Sequence, residues 1–195
     1  MYYSVGVDPG TGDGAIVLLV EGALGVDVLK VWDMPTRIKS STRKRNRRGQ
    51  MQTYNKKEVD PIAFNSILSE IMTIVAHPEN ITLACIESVH AMPASRKGKD
   101  GEEKKQGIAS TAQFMDSFGV ARALLECWFP STFTKVAPQT WKKMFELSGK
   151  DKDTARQLAI KYWGEPLFKR KKDVGRADAA LIAYYPILKR LKEKQ

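Results

Sequence analysis

The chain is poor in the residues that mark secreted, zinc-holding or membrane-embedded proteins. It has two cysteines, Cys85 and Cys127, and two histidines. Neither cysteine belongs to a Cys-x-x-Cys pair or has a histidine nearby, which argues against a disulfide framework and a zinc centre. Both lie in apolar surroundings and are expected as buried thiols in a reducing cytosol. Long hydrophobic runs are missing too. Stretches such as Ala15–Val20 and Ile81–Ile86 fall far below the roughly 20 residues that cross a bilayer. The opening MYYSVGVD enters a strand-like pattern without a basic region or a small-residue cleavage site, so a cytoplasmic location is expected. Between Thr36 and Lys57 acidic residues are absent altogether.

What fills that stretch is positive charge. Arg37, Lys39, Arg43, Lys44, Arg45, Arg47, Arg48, Lys56 and Lys57 follow one another there, and Lys169–Lys172 forms a second cluster. The chain carries a net charge of +10, which favours a polyanionic partner. The first cluster lacks the apolar helical face of a membrane-surface segment, so nucleic acid is the better reading, with a solvated charge run as the plain alternative.

A single α/β domain over residues 1–195 is expected. Tyr2–Asp8, Ala15–Val20 and Val26–Trp32 alternate with glycine-bearing turns, which predicts an antiparallel meander. Residues 34–58 are polar and aperiodic and are expected as a basic loop. Asp60-Pro61 is a helix start, with Asp as cap and Pro in the first turn, and apolar residues recur at helical spacing to Val75. Ile81–Val89 reads as a central strand covered on both faces. Residues 93–109 are expected as a second charged loop. A helix over 110–128, a short strand at 132–136, helices over 139–148 and 151–163, and a last helix over about 175–193 complete the chain, with Pro186 expected to bend the last one.

Three acids interrupt apolar or small-residue contexts. Asp8 ends the first strand, Glu87 ends the central strand, and Asp178 lies in GRADAALIAYY of the last helix. If the two strands are parallel neighbours, Asp8 and Glu87 leave the sheet at one edge, where ligands gather in open α/β folds. Gly175, Ala177, Ala179 and Ala180 would let the last helix come close and present Asp178 to them. Converging carboxylates repel one another unless a cation intervenes, and hard oxygen ligands suit Mg²⁺ or Mn²⁺. Two such ions serve phosphodiester hydrolysis. Taken singly, Asp8 could be a turn residue, Glu87 half of a buried ion pair and Asp178 a surface acid.

The stretches GVDPGTGDGAIVLL, VWDMPT, ACIESVHAMP, KVAPQTWKK and KKDVGRADAALIAYY together resemble RuvC-type Holliday-junction resolvases, especially their divergent bacteriophage branch. The resemblance implies an RNase-H-like fold, a five-stranded mixed sheet flanked by helices. It also implies a homodimer that nicks a four-way junction symmetrically with two Mg²⁺ or Mn²⁺ ions per site, in the host cytoplasm if phage-encoded. Asp8, Glu87 and Asp178 fall on the metal-ligand positions. The usual fourth ligand falls on Gly175, which has no side chain. Asp173 is the nearest substitute, with a helix cap or a solvated acid as its ordinary reading, since five helical residues turn it about 140° from Asp178. His90 stands where bacterial members place an aromatic wedge. Arg43, Lys44, Arg45, Arg47 and Arg48, with Lys142, Lys150 and Lys152 near helix starts, are the candidate DNA contacts. Trp141 and the residues Phe114, Phe118, Leu124 and Leu125 are better read as core, and the helix over 110–128 is a candidate dimer surface.

Other functions compete. An ATPase of the actin and sugar-kinase type would share the Asp8–Gly12 turn but needs a second, duplicated domain. A nuclease of the same fold acting on flaps or RNA–DNA hybrids, or a non-catalytic DNA-binding protein on this scaffold, would differ in loops rather than in the acids.

Overall fold

A computed structural model describes residues 2–46, 48–76, 80–88, 95–97, 103–105 and 108–193. Strands β1 (Tyr2–Asp8), β2 (Ala15–Gly22) and β3 (Gly25–Asp33) form the expected antiparallel meander. The segment expected as a basic loop is instead a two-stranded hairpin, β4 (Thr36–Arg45) and β5 (Met51–Val59), separate from the main sheet. Its Ser/Thr/Tyr-bearing strands pair with each other; without an apolar alternation, the sequence pattern held no sign of them.

Helix α1 (Pro61–Val75) starts as expected, Asp60 Oδ1 accepting from the amides of Ile62 and Ala63 at 3.0 and 3.1 Å. Strand β6 (Ile81–Glu87) follows, then a short strand pair β7 (Ser95–Lys97) and β8 (Glu103–Lys105) within the second expected loop, and helix α2 (Ile108–Trp128). Strand β9 (Phe133–Val136) leads to α3 (Pro138–Met144), α4 (Lys152–Trp163), a 3-10 turn over Lys171–Asp173, and α5 (Val174–Glu193), which contains Pro186.

The main sheet has five strands in the order β3-β2-β1-β6-β9. The meander is antiparallel, whereas β1 with β6, and β6 with β9, run parallel, so the sheet is mixed as expected. Helices cover both faces. Val5 and Val7 of β1, with Ile16 and Leu18 of β2, bury against Phe64, Leu68 and Ile71 of α1 and Phe118, Ala121 and Leu125 of α2. Ala15, Val17 and Leu19 turn the other way, onto Ala177, Ala180 and Ala183 of α5 and Ala159 of α4. Phe118, Leu125 and Trp141 are core residues, as expected. Cys85 is buried, but Cys127 is exposed, because its place near the end of α2 turns away from the packed face.

Candidate active site

The alternation of β1 decides where Asp8 points. Side chains along a strand take opposite faces in turn, so Ser4, Gly6 and Asp8 share the α5 face while Val5 and Val7 take the other. Two contacts bear this out. Ser4 Oγ donates to the Ala183 carbonyl at 2.7 Å. A Cβ on Gly6 would stand 2.2 Å from the Ala179 carbonyl oxygen and 2.4 Å from the Ala183 nitrogen. Helix α5 therefore lies backbone against backbone on β1, and only glycine fits there. The parallel register Gly6↔Cys85 and Val7↔Ile86 brings the end of β6, and with it Glu87, beside Asp8.

The three acids feel one another. Burial pushes Asp8 up to about 6. Burial, then the charge of Asp8, raises Glu87 to about 7. Asp178 is raised to about 7 by burial and by the charges of Asp8 and Glu87. As residues, Asp8, Glu87 and Asp178 are half-buried. The Gly10 amide donates to Asp8 Oδ1 at 3.1 Å and offsets part of its rise. Among the described residues, Asp178 Oδ1 is buried without a hydrogen-bond partner.

Cations surround the trio. Lys142 lowers the pKa of all three acids, and Lys152 lowers those of Asp8 and Asp178. Both belong to the lysines singled out from sequence; the third, Lys150, is exposed just before α4. The fully buried Trp141, which sequence placed only in the core, sits with its indole N–H toward Glu87 and lowers its pKa, while completing no hydrogen bond of normal geometry. The Lys142 ammonium lies 5.1 Å from the centre of that ring, so the two neighbours that lower Glu87 also contact each other.

The fourth position is filled by backbone. A Cβ on Gly175 would stand 1.6 Å from the Asp13 carbonyl oxygen and 3.2 Å from Asp8 Oδ2. The turn between β1 and β2, closed by the Gly14 amide donating to the Gly10 carbonyl at 2.9 Å, takes the space a side chain would need. Asp173 has other partners. It accepts from the Arg170 amide at 2.8 Å and from its guanidinium at 2.9 Å. Despite burial, these bonds and the charges of Arg170 and Arg176 hold its carboxyl below the usual range. It therefore closes the 3-10 turn ahead of α5, paired with Arg170 and Arg176.

Of the hairpin residues, Arg43, Lys44, Arg45 and Arg48 are exposed on a projecting ribbon; Arg47 and His90 lie outside the described residues. Among the described residues, no three Asp, Glu, His or Cys side chains are grouped so as to hold one metal ion together. No described helix is long and apolar enough to cross a membrane.

Comparison with solved structures places the fold. Thermus thermophilus RuvC in complex with a Holliday junction substrate superposes with a TM-score of 0.58 over 98% of this chain and 97% of that chain, at 12% identity. The Thermus thermophilus RuvC structure alone gives a TM-score of 0.54 over 97% and 96%, again at 12% identity. The chain has the RNase-H-like fold of RuvC from end to end. No protein-family model and no curated protein sequence matches it.

Proposed function

We propose that the chain is a metal-dependent endonuclease that cuts branched DNA, nicking four-way junctions symmetrically as a homodimer. One observation carries this: Asp8, Glu87 and Asp178, far apart in sequence, converge at one sheet edge with all three pKa values raised. Burying mutually repelling carboxylates is unfavourable for folding. Lys142 and Lys152 offset only part of that charge, and a divalent cation at that edge would offset more.

The donors suit Mg²⁺ or Mn²⁺, since they are hard oxygens and one of them, Asp178 Oδ1, lacks a hydrogen-bond partner among the described residues. Asp8, Glu87 and Asp178 are the residues that would hold the ions. When bound, such ions supply water activation and neutralise charge building on the leaving oxygen. The chain's own residues do the rest. The Gly10 amide fixes the Asp8 carboxylate, Trp141 limits water behind Glu87, and Lys142 and Lys152 hold a phosphate in front of the acids. The substrate reading draws on the junction bound by the Thermus protein and on the +10 charge.

Four substrates separate this proposal from its competitors: a four-way junction, a flap, a linear duplex and an RNA–DNA hybrid, each with Mg²⁺ or Mn²⁺. Selective paired nicking of the junction is expected, with Asp8→Asn binding it but not cutting. Preference for the hybrid or the flap would move the activity to another substrate. Junction binding without cleavage under any metal would favour a non-catalytic binder, the reading that the backbone-filled fourth position supports.

A further inference from the structure

The β4–β5 hairpin has no counterpart in the chemistry of the acids. Among the described residues it pairs only with itself, from Thr36↔Val59 to Arg45↔Met51, and nearly every residue of both strands is exposed. A strand of 10 residues at about 3.3 Å each spans roughly 30 Å, close to one turn of duplex DNA. Both ends are held by hydrogen bonds. At the root, the Val59 amide donates to Ser117 Oγ at 3.4 Å, and Lys39 bridges Glu58 and Asp116, each at 3.0 Å. At the tip, Asn46 Oδ1 accepts from the amides of Arg48 and Gln50 at 2.9 and 3.0 Å. The hairpin is tied to α2 at its root, and its tip is closed by bonds within its own turn. Its root shares a polar cavity of about 230 Å³ with Asp13 and Arg170 beside the acid site, Thr36 and Lys57 lining one wall.

Register sorts the arm's side chains. Partners directly across an antiparallel pair share a face. Ser41↔Asn55, Arg43↔Thr53 and Arg45↔Met51 therefore form one face. That face carries two guanidinium forks, one carboxamide and one soft apolar tip. The Ser41 hydroxyl donates to Asn55 Oδ1 at 2.8 Å and so orients the amide. A run of phosphate contacts needs only charge, whereas this set matches the edges of bases. Arginine forks pair with guanine N7 and O6, asparagine with adenine, and an apolar tip meets the thymine methyl. The major groove, about 12 Å wide, admits a two-stranded ribbon.

We propose that β4–β5 enters the major groove of a duplex arm next to the cut site and reads its bases through Arg43, Arg45 and Asn55. The ribbon would set which sequence beside the crossover is cut, a role the acid site cannot fill. The inference rests on the proposed action on branched DNA.

The test uses the full chain carrying Asp8→Asn, bound to a four-way junction and probed by dimethyl sulfate at guanine N7. Protected guanines are expected in one arm. Arg43→Lys with Arg45→Lys keeps the charge but loses the planar forks, so protection should weaken and affinity fall about 10- to 100-fold while the salt slope holds. Replacing arm guanines by 7-deazaguanine should weaken the parent more than the lysine variant. Junction binding without N7 protection, or protection unchanged in the lysine variant, would overturn the groove assignment alone. Failure to bind any DNA would overturn both this inference and the nuclease reading. The arm lies outside the core, so circular dichroism and melting of the variant should match the parent.

Discussion

Gly175 stands one helical turn before Asp178, and the Asp13 carbonyl occupies the volume where its side chain would begin. An alanine there needs the turn or the helix to retreat, and both are pinned by backbone bonds. Gly175→Ala should destabilise by about 2–3 kcal/mol, and Gly175→Asp by at least as much without a gain in cleavage; a urea melt and a junction-cutting assay check both. A second consequence concerns pH. The folded chain holds protons on Asp8, Glu87 and Asp178 up to about 6 or 7, whereas the unfolded chain releases them near 4. Between those limits the folded state binds more protons, so metal-free stability falls as pH rises through about 4 to 7 and stays low above it. Asp178→Asn should then raise metal-free stability at pH 8 by roughly 2–4 kcal/mol and change little near pH 3.5. Mg²⁺ should reverse the difference by stabilising the parent alone. A parent and variant with parallel melting curves from pH 3.5 to 8 would remove Asp178 from the trio.

At the scale of elements, the site depends on one interface, α5 against β1. Sequence showed half of it: the small residues Gly175, Ala177, Ala179 and Ala180 that permit close approach, and Asp178 among them. The other half, Gly6 on the strand, lay unnoticed within an ordinary β pattern, because its reason is a partner 173 residues later at Ala179. Gly6→Ala should push α5 off the sheet, costing about 3 kcal/mol or more and separating Asp178 from Asp8. Cleavage should then fall further than the folded fraction does, measured at a temperature where the variant is still folded. The strands and helices of the main body were legible because burial imposes period 2 or 3.6 on them. The hairpin was not, since its strands bury neither face and polar side chains alternate there without a hydrophobic signal. Asp173 was legible both as a substitute fourth ligand and as a helix cap, and the structure shows it in a capping box with Arg170.

For the whole molecule, the arrangement of charge matters more than its sum. Acids gather at one half-buried edge, and cations stand around them on separate elements, Lys142 on α3 and Lys152 at the start of α4. The two lysines hold down carboxylate pKa values that burial drives up, and on the proposed function they would also attract phosphate; one experiment can separate the two roles. Replacing Lys142 and Lys152 by methionine keeps much of the side-chain bulk and removes both effects. Junction affinity should drop about tenfold at moderate salt, and the slope of log K against log salt should become shallower by roughly 2. The acid limb of the cleavage profile should move to higher pH, because Asp8 and Asp178 lose the cations that lower them. A lysine that only anchors DNA leaves the pH profile of kcat in place once substrate is saturating. A shifted limb with a shallower salt slope therefore assigns both roles to this pair, and an unmoved limb confines it to phosphate binding.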